Sequence, residues 1–250
     1  MRTLAVITAA GDGTRLGLGR PKALVELDGA PLLLHAARNL CASGAVDAVV
    51  VTCPPAAVAD VAALLAADPL VDRPVDVVPG GATRQDSVRA GLDAGTRGTD
   101  DDPRDDVDVV LVHDAARPLA PPDLVRRVVA AVRAGRPAVV PGLPVTDTVK
   151  RVVPDPDATA GEEVVATVDR TPLRAVQTPQ GFDREVLARA HREAQRGGVA
   201  ATDDAGLVEA LGLPVHVVPG DPAAAKITTP EDLLLARWRV QGRPPGPPLA

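Results

Sequence analysis

Residues 8–22 read TAAGDGTRLGLGRPK, a glycine-rich loop entered from the aliphatic run Leu4-Ala5-Val6-Ile7. Such a loop after a first strand presents backbone N–H groups to phosphate. Neither common nucleotide fingerprint fits. The dinucleotide pattern needs a third glycine after Gly11-x-Gly13, and Leu16 stands there. A Walker A loop needs Gly-Lys-Ser/Thr, which the chain lacks. Arg15, Arg20 and Lys22 accompany the glycines. A bare flexible turn does not account for those cations, whereas a phosphate ligand does.

Beyond the loop, β-branched runs alternate with Ala/Leu-rich stretches. Strands are predicted near residues 4–8, 48–52, 75–78, 107–113, 138–143 and 215–218. Helices are predicted over 31–41, 55–66, 84–94, 121–134, 184–196, 203–211 and 230–240. This is the α/β pattern of a mostly parallel sheet flanked by helices. Ligands of such sheets bind beyond the carboxyl ends of the strands. Thr229-Pro230-Glu231-Asp232 reads as a helix start, with a capping hydroxyl, Pro at N1 and acids in the first turn.

Three stretches depart from this rhythm. Residues 144–172 hold β-like runs at 148–153 and 164–168 and read as an extended hairpin arm. Residues 99–106, TDDDPRDD, read as a solvated loop whose charge repels phosphate. Residues 241–250 are rich in Pro and Gly and read as a frayed, disordered tail. The expected organisation is one domain over residues 1–240 that includes the arm.

Composition removes several function classes. The formal net charge is -6, unsuited to a phosphate backbone. One Phe, one Trp and no Tyr leave no stacking platform for single strands, so nucleic acid is not an expected partner. No apolar run approaches a membrane span. The N-terminal apolar run is too short for a signal peptide, and Cys41 and Cys53 lack zinc spacing. The expectation is a cytoplasmic enzyme with free buried thiols. The only lysines among 250 residues are Lys22, Lys150 and Lys226. Lys22 closes the loop and Lys226 follows the last strand, so both fall near the binding edge. A compact ammonium there can follow moving phosphate charge.

Further segments extend the pattern: GGATRQDSV at 80–88, VHDAARP at 112–118 and TVDRTPLRAVQTPQGF at 167–182. TDDA at 202–205 and AKITTPEDL at 225–233 continue it. Together with the loop they resemble the cytidylyltransferase family that makes 4-diphosphocytidyl-2-C-methylerythritol in non-mevalonate isoprenoid synthesis. The resemblance implies a Rossmann-like fold of the nucleotidyltransferase type, with an extended β-arm that forms a homodimer. It implies that Ala9, Ala10, Gly11 and Gly13 contact CTP, with Arg15 and Lys22 on its phosphates. Gly80, Gly81 and Ser87 would hold cytosine and ribose. Asp114 would serve the metal and the polyol, with Arg117 nearby. Thr148 and Arg170 on the arm, with Thr178, Thr202 and Lys226, would bind the polyol phosphate. Thr8 and Ala82 depart from the family pattern without removing a ligand.

The implied nucleophile is a phosphate monoester with a second pKa of about 6, so it needs no general base. The sequence accordingly offers no triad: its serines are Ser43 and Ser87, neither in GxSxG. Arg15, Lys22, Lys226 and a divalent ion, Mg²⁺ or another, would stabilise the transferring phosphoryl group. His113 is expected to be a packed residue. Asp203 and Asp204 are expected to be helix-start acids, and Lys150 has no assigned role. The nearest rival is a ribitol-5-phosphate cytidylyltransferase. A non-catalytic nucleotide sensor would be expected to lack Lys22, Asp114 or Lys226, and all three are present.

Overall fold

A computed structural model describes residues 2–11, 21–97, 106–154 and 161–242. Its centre is an eight-stranded sheet. In chain order the elements begin with β1 (Arg2–Thr8), the short pair β2 (Glu26–Leu27) and β3 (Ala30–Pro31), and α1 (Leu32–Ala42). There follow β4 (Ala48–Cys53), α2 (Val58–Ala66), β5 (Val75–Pro79), α3 (Arg84–Arg97), β6 (Val107–Asp114), α4 (Pro122–Arg133) and β7 (Ala138–Pro144). The arm is β8 (Val149–Pro154) and β9 (Glu162–Val168). Then come β10 (Arg174–Val176), β11 (Gln180–Asp183), α5 (Arg184–Gly197), α6 (Asp204–Ala210), β12 (His216–Pro219) and α7 (Pro230–Val240).

The sheet runs β10-β7-β11-β6-β1-β4-β5, with β12 also on β7. β1 lies parallel to β4 and β6, β4 to β5, and β12 to β7. Only β10 and β11 run antiparallel to their neighbours. The parallel strands are buried on both faces, so they read as unbroken aliphatic runs. Alternate residues feed two cores. Ala5, Ile7, Val49, Val51 and Leu111 pack with α1, α2 and α4, and Leu4, Val6, Val50, Val110 and Val112 pack with α3, α5 and α6.

The predicted elements hold with shifts of a few residues at their ends. One difference is at residue 55, where Pro55–Ala57 form a 3-10 turn before α2 begins. The strand expected at 215–218 sits one residue later, as β12. β10 and β11 were not anticipated, because each is short and Pro179 stands between them. Helix ends follow local chemistry. Asp183 caps α5 by accepting from the amides of Glu185 and Val186 at 3.0 Å. Thr229 and Asp232 form a reciprocal capping box on α7.

α3 lies unusually close to the sheet. A methyl at Gly91 would sit 2.5 Å from Val6 Cγ1, and one at Gly95 would sit 2.4 Å from Leu4 Cδ2. Bare backbone is therefore required at both positions. The arm, by contrast, stands apart as its own two-stranded sheet, pairing Val149 with Val168 and Pro154 with Glu162. Residues 99–105 of the acidic loop and residues 243–250 of the tail lie outside the described residues.

Candidate active site

Beyond the carboxyl ends of β1, β5 and β6 opens a cavity of about 600 Å³, the size of a small-molecule pocket. Thr8, Ala9, Ala10 and Gly11 line it where β1 ends, and Gly80 and Gly81 where β5 ends. Here glycine is dictated by crowding. A methyl at Gly80 would lie 2.7 Å from Ala10 Cβ, and one at Gly81 would lie 2.2 Å from Asp86 Cβ. The amide of Gly80 donates to the Cys53 carbonyl at 2.8 Å. The amide of Gly81 donates to Ser87 Oγ at 3.1 Å, and that hydroxyl donates to the Thr83 carbonyl at 2.9 Å. Ser87 thus ties the first turn of α3 to the glycine pair, forming a wall made largely of backbone.

The other wall carries the charge. Asp114, the last residue of β6, is 7% exposed and lines the cavity. Arg84 Nε donates to its Oδ1 at 3.2 Å, and Lys226 Nζ donates to its Oδ2 at 2.8 Å. Arg117 Nε lies 4.0 Å from Oδ2. Burial alone would raise the Asp114 carboxyl, but Arg84 and Lys226 more than offset it and hold the group far below the usual carboxylate range. Lys22 lines the same cavity. Among the described residues the lining thus holds three cations, Lys22, Arg84 and Lys226, against the single carboxylate Asp114. An excess of cations over a floor of backbone amides is a site for a polyanion.

A sequence model of the 2-C-methyl-D-erythritol 4-phosphate cytidylyltransferase family matches residues 3–241. A protein of that name from Streptomyces avermitilis is 55% identical over 236 residues, covering 94% of this chain and 90% of that protein. One from Rhodococcus jostii is 51% identical, covering 95% of each. The crystal structure of 2-C-methyl-D-erythritol 4-phosphate cytidylyltransferase from Thermus thermophilus superposes with TM-score 0.71 at 38% identity, covering 96% of this chain and 100% of that one.

The chain belongs to the 2-C-methyl-D-erythritol 4-phosphate cytidylyltransferase family.

Of the residues expected to serve in that family's site, the cavity gathers Ala9, Ala10, Gly11, Lys22, Gly80, Gly81, Ser87, Asp114 and Lys226. Gly13 and Arg15 lie outside the described residues. Five others do not line the cavity. Arg117 turns aside: Nη1 donates to the Ala224 carbonyl at 2.8 Å and Nη2 to the Val176 carbonyl at 3.3 Å. It ties β6 to the loop carrying Lys226, so within this chain its part is scaffolding. Thr178 is buried behind Asp114, whose amide donates to the Thr178 hydroxyl at 3.0 Å. That hydroxyl also bonds His113 Nδ1 at 3.0 Å. Thr178 therefore sets the backbone of Asp114 instead of facing a ligand.

Thr202 is exposed at the start of the segment leading into α6. Thr148 and Arg170 are exposed at the root of the arm, and the Arg170 guanidinium donates to the Thr146 carbonyl of its own chain. Lys150 donates to Thr167 Oγ1 across the arm at 2.6 Å, a hairpin contact.

His113 is the packed residue expected, 1% exposed and outside the cavity. Burial brings its pKa down to about 4, so at neutral pH the ring is uncharged. Asp203 caps α6 as expected, accepting from the Gly206 amide at 3.0 Å. Asp204 is the first residue of α6, a helix-start acid as expected. It is 1% exposed and bonded to His191 and Arg84, because the first turn of α6 faces inward onto α3 and α5. Sequence reasoning also passed over Arg84 itself. Its signal was present: within GGATRQDSV it sits three residues before Ser87, one helical turn nearer the cavity. Thr228 and Pro54 join the lining as well.

Proposed function

We propose that the protein transfers the cytidylyl group of CTP to 2-C-methyl-D-erythritol 4-phosphate, giving 4-diphosphocytidyl-2-C-methyl-D-erythritol and pyrophosphate. The observation that carries this reading is the pairing of two walls in one cavity. One is backbone and glycine, and the other is Asp114 held between Arg84 and Lys226. The family relatives, named for this reaction, support the same assignment.

An oxygen of the polyol phosphate attacks the α-phosphorus of CTP, a P–O bond forms, and the bond to the β-phosphate oxygen breaks. Pyrophosphate leaves with that electron pair. The attacking phosphate is already largely a dianion near neutral pH, so no side chain need remove a proton. The obstacle is the meeting of two anions. Lys22 and Lys226, with Arg15 of the glycine loop, lower it by stabilising charge on the transferring and leaving groups. The Gly80–Gly81 wall, lacking side chains, lets the base approach backbone groups that can read the N4 amino donor and O2 acceptor of cytosine.

A divalent cation such as Mg²⁺ fits this donor set in one way. Among the described residues Asp114 is the only carboxylate lining the cavity, and no group of three His, Cys, Asp or Glu side chains could hold an ion by itself. Asp114 would hold the ion together with substrate phosphates, as Mg²⁺ commonly binds. When bound, the ion neutralises phosphate charge. We further infer a homodimer. Val152, Val153, Val164 and Val165 on the arm are 38–54% exposed, and a lone hairpin of this kind is marginal. Arms exchanged about a twofold axis would cover these valines and bring Thr148 and Arg170 to the neighbour's cavity. No described helix is long and apolar enough to cross a membrane, and the buried free thiols Cys41 and Cys53 suit a reducing cytoplasm.

The test is pyrophosphate release with CTP, Mg²⁺ and either 2-C-methyl-D-erythritol 4-phosphate or ribitol 5-phosphate. Much faster release with the first is expected. The reverse preference would move the assignment to the second polyol, and activity with neither would end it.

A further inference from the structure

A line of charge runs behind the cavity wall that the transfer chemistry above does not use. Asp204 Oδ1 accepts from His191 Nε2 at 2.9 Å, and Oδ2 accepts from Arg84 Nη1 at 2.6 Å. Arg84 then reaches Asp114 Oδ1 through Nε at 3.2 Å. His191 and Asp204 are 2% and 1% exposed, so the far end of the line is sealed from solvent. Helices α5, α6 and α3 thus converge on the end of β6.

A carboxylate this deeply buried is costly, and buried ionic clusters are often no more stabilising than apolar side chains of equal volume. Stability alone therefore gives no reason to keep it. What Asp204 supplies is a fixed direction. The guanidinium is planar and rigid, so anchoring Nη1 determines where Nε points. Arg84 also lines the cavity, and 30% of its side chain is exposed. An incoming triphosphate, with far more charge than one carboxylate, would draw an unanchored arginine away. Asp114 would then rest on Lys226, the cation that the phosphates also need.

We propose that Asp204, braced by His191, is a positioning residue: it holds Arg84 on Asp114 while anionic substrates occupy the cavity, and so leaves Lys226 to act on phosphate. This rests on the cytidylyl-transfer reading. Asp204 touches no substrate and acts only through Arg84.

A kinetic double-mutant cycle tests it, using CTP and 2-C-methyl-D-erythritol 4-phosphate with Asp204→Asn, Arg84→Lys and the double variant. Lysine keeps the charge of Arg84 but has one nitrogen in place of the planar fork whose Nε and Nη1 each serve a different carboxylate. Each single change is expected to lower kcat/KM for the polyol phosphate by about tenfold, within the range of coupled contacts. The double variant should lose little more than the worse single. In Asp204→Asn, KM for CTP should stay within about twofold, since no residue lining the cavity is changed. General loosening of the fold would not produce that split.

Losses that multiply in the double variant, or wild-type kinetics in Asp204→Asn, would overturn the proposal. Should Asp204→Asn fail to fold, His191→Gln and His191→Leu decide. Glutamine can place an amide N–H near the position of Nε2 and should recover most of what leucine loses; equal losses would count against the line. A wild-type enzyme that releases no pyrophosphate with these substrates would instead remove the cytidylyl-transfer reading, and the proposal with it.

Discussion

The two sides of the sheet make their surfaces by opposite means. Around β1, β4 and β5 the strands are parallel and covered by helices, and the cavity wall is mostly backbone at Ala9–Gly11 and Gly80–Gly81. Around β7 the chain turns antiparallel, leaves the sheet as the β8–β9 arm, and presents exposed side chains such as Thr148 and Arg170. The first side is complete within one chain, because a strand end and a glycine turn need no partner. The second carries its polar groups on an element with no core of its own. Rigid backbone suits the nucleotide, whose base and phosphates call for fixed donors and acceptors. Projecting side chains suit the second substrate, and on our reading they serve it from a neighbouring subunit.

That contrast can be broken most sharply at the cations of the self-contained side. Lys22→Ala or Lys226→Ala is expected to lower kcat by about 10²–10³. Thermal unfolding should change little in Lys22→Ala, whose side chain is not buried, and more in Lys226→Ala, which also removes a partner of the buried Asp114 carboxylate. Turnover close to wild type in Lys22→Ala, at saturating CTP and magnesium, would remove Lys22 from the reaction.

The arm makes a smaller, more diagnostic effect. A mixed dimer of one Lys22→Ala subunit with one Arg170→Ala subunit, each inactive as a homodimer, is expected to regain about half of wild-type activity. Both lesions then fall in one site and the other is intact, a consequence of twofold symmetry. If a purified, folded mixed dimer stays inactive, Arg170 works within its own chain and the contrast between the two sides disappears.

The smallest effect lies at α7, which anchors the loop bearing Lys226 and Thr228. Asp232 Oδ2 accepts from the amides of Thr228 and Thr229 at 2.7 and 2.8 Å, and Thr229 Oγ1 accepts from the Asp232 amide at 3.3 Å. Thr229→Ala should cost about 1 kcal/mol. In a chain of this size that is a drop of roughly 2–4 °C in Tm, readable by calorimetry, with kcat nearly unchanged. A large loss of kcat would mean that the cap also aims Lys226.

The same contrast explains what could be read from sequence alone. Val49–Val51 and Val109–Val112 announce buried parallel strands because both faces demand aliphatic side chains. Gly80 and Gly81 were legible only through the family resemblance, and the crowding that leaves no room for a methyl there is seen in the structure alone. β10 and β11 stayed hidden: each has only three or four residues, and Arg174 and Gln180 carry no hydrophobic period. The burial of Asp204 was not legible for a related reason. A carboxylate at a helix start normally faces water, and its burial follows from the packing of α6 on α5, which local sequence does not encode. Arg117 and Thr178 belonged to motifs whose positions were legible, but whether each faced the cavity or the layer behind it depended on side-chain direction.

Gly91 and Gly95 act as spacers. They lie on the part of α3 away from the cavity, yet they fix how near the whole helix can lie to β1. The first turn of that helix carries Arg84 and Ser87, so the width of the mouth is gauged by hydrogen atoms at the opposite end of a rod. A methyl group at residue 91 would press on Val6 and Thr52, so a change that touches no ligand would be felt as strain between this helix and the sheet that carries the site.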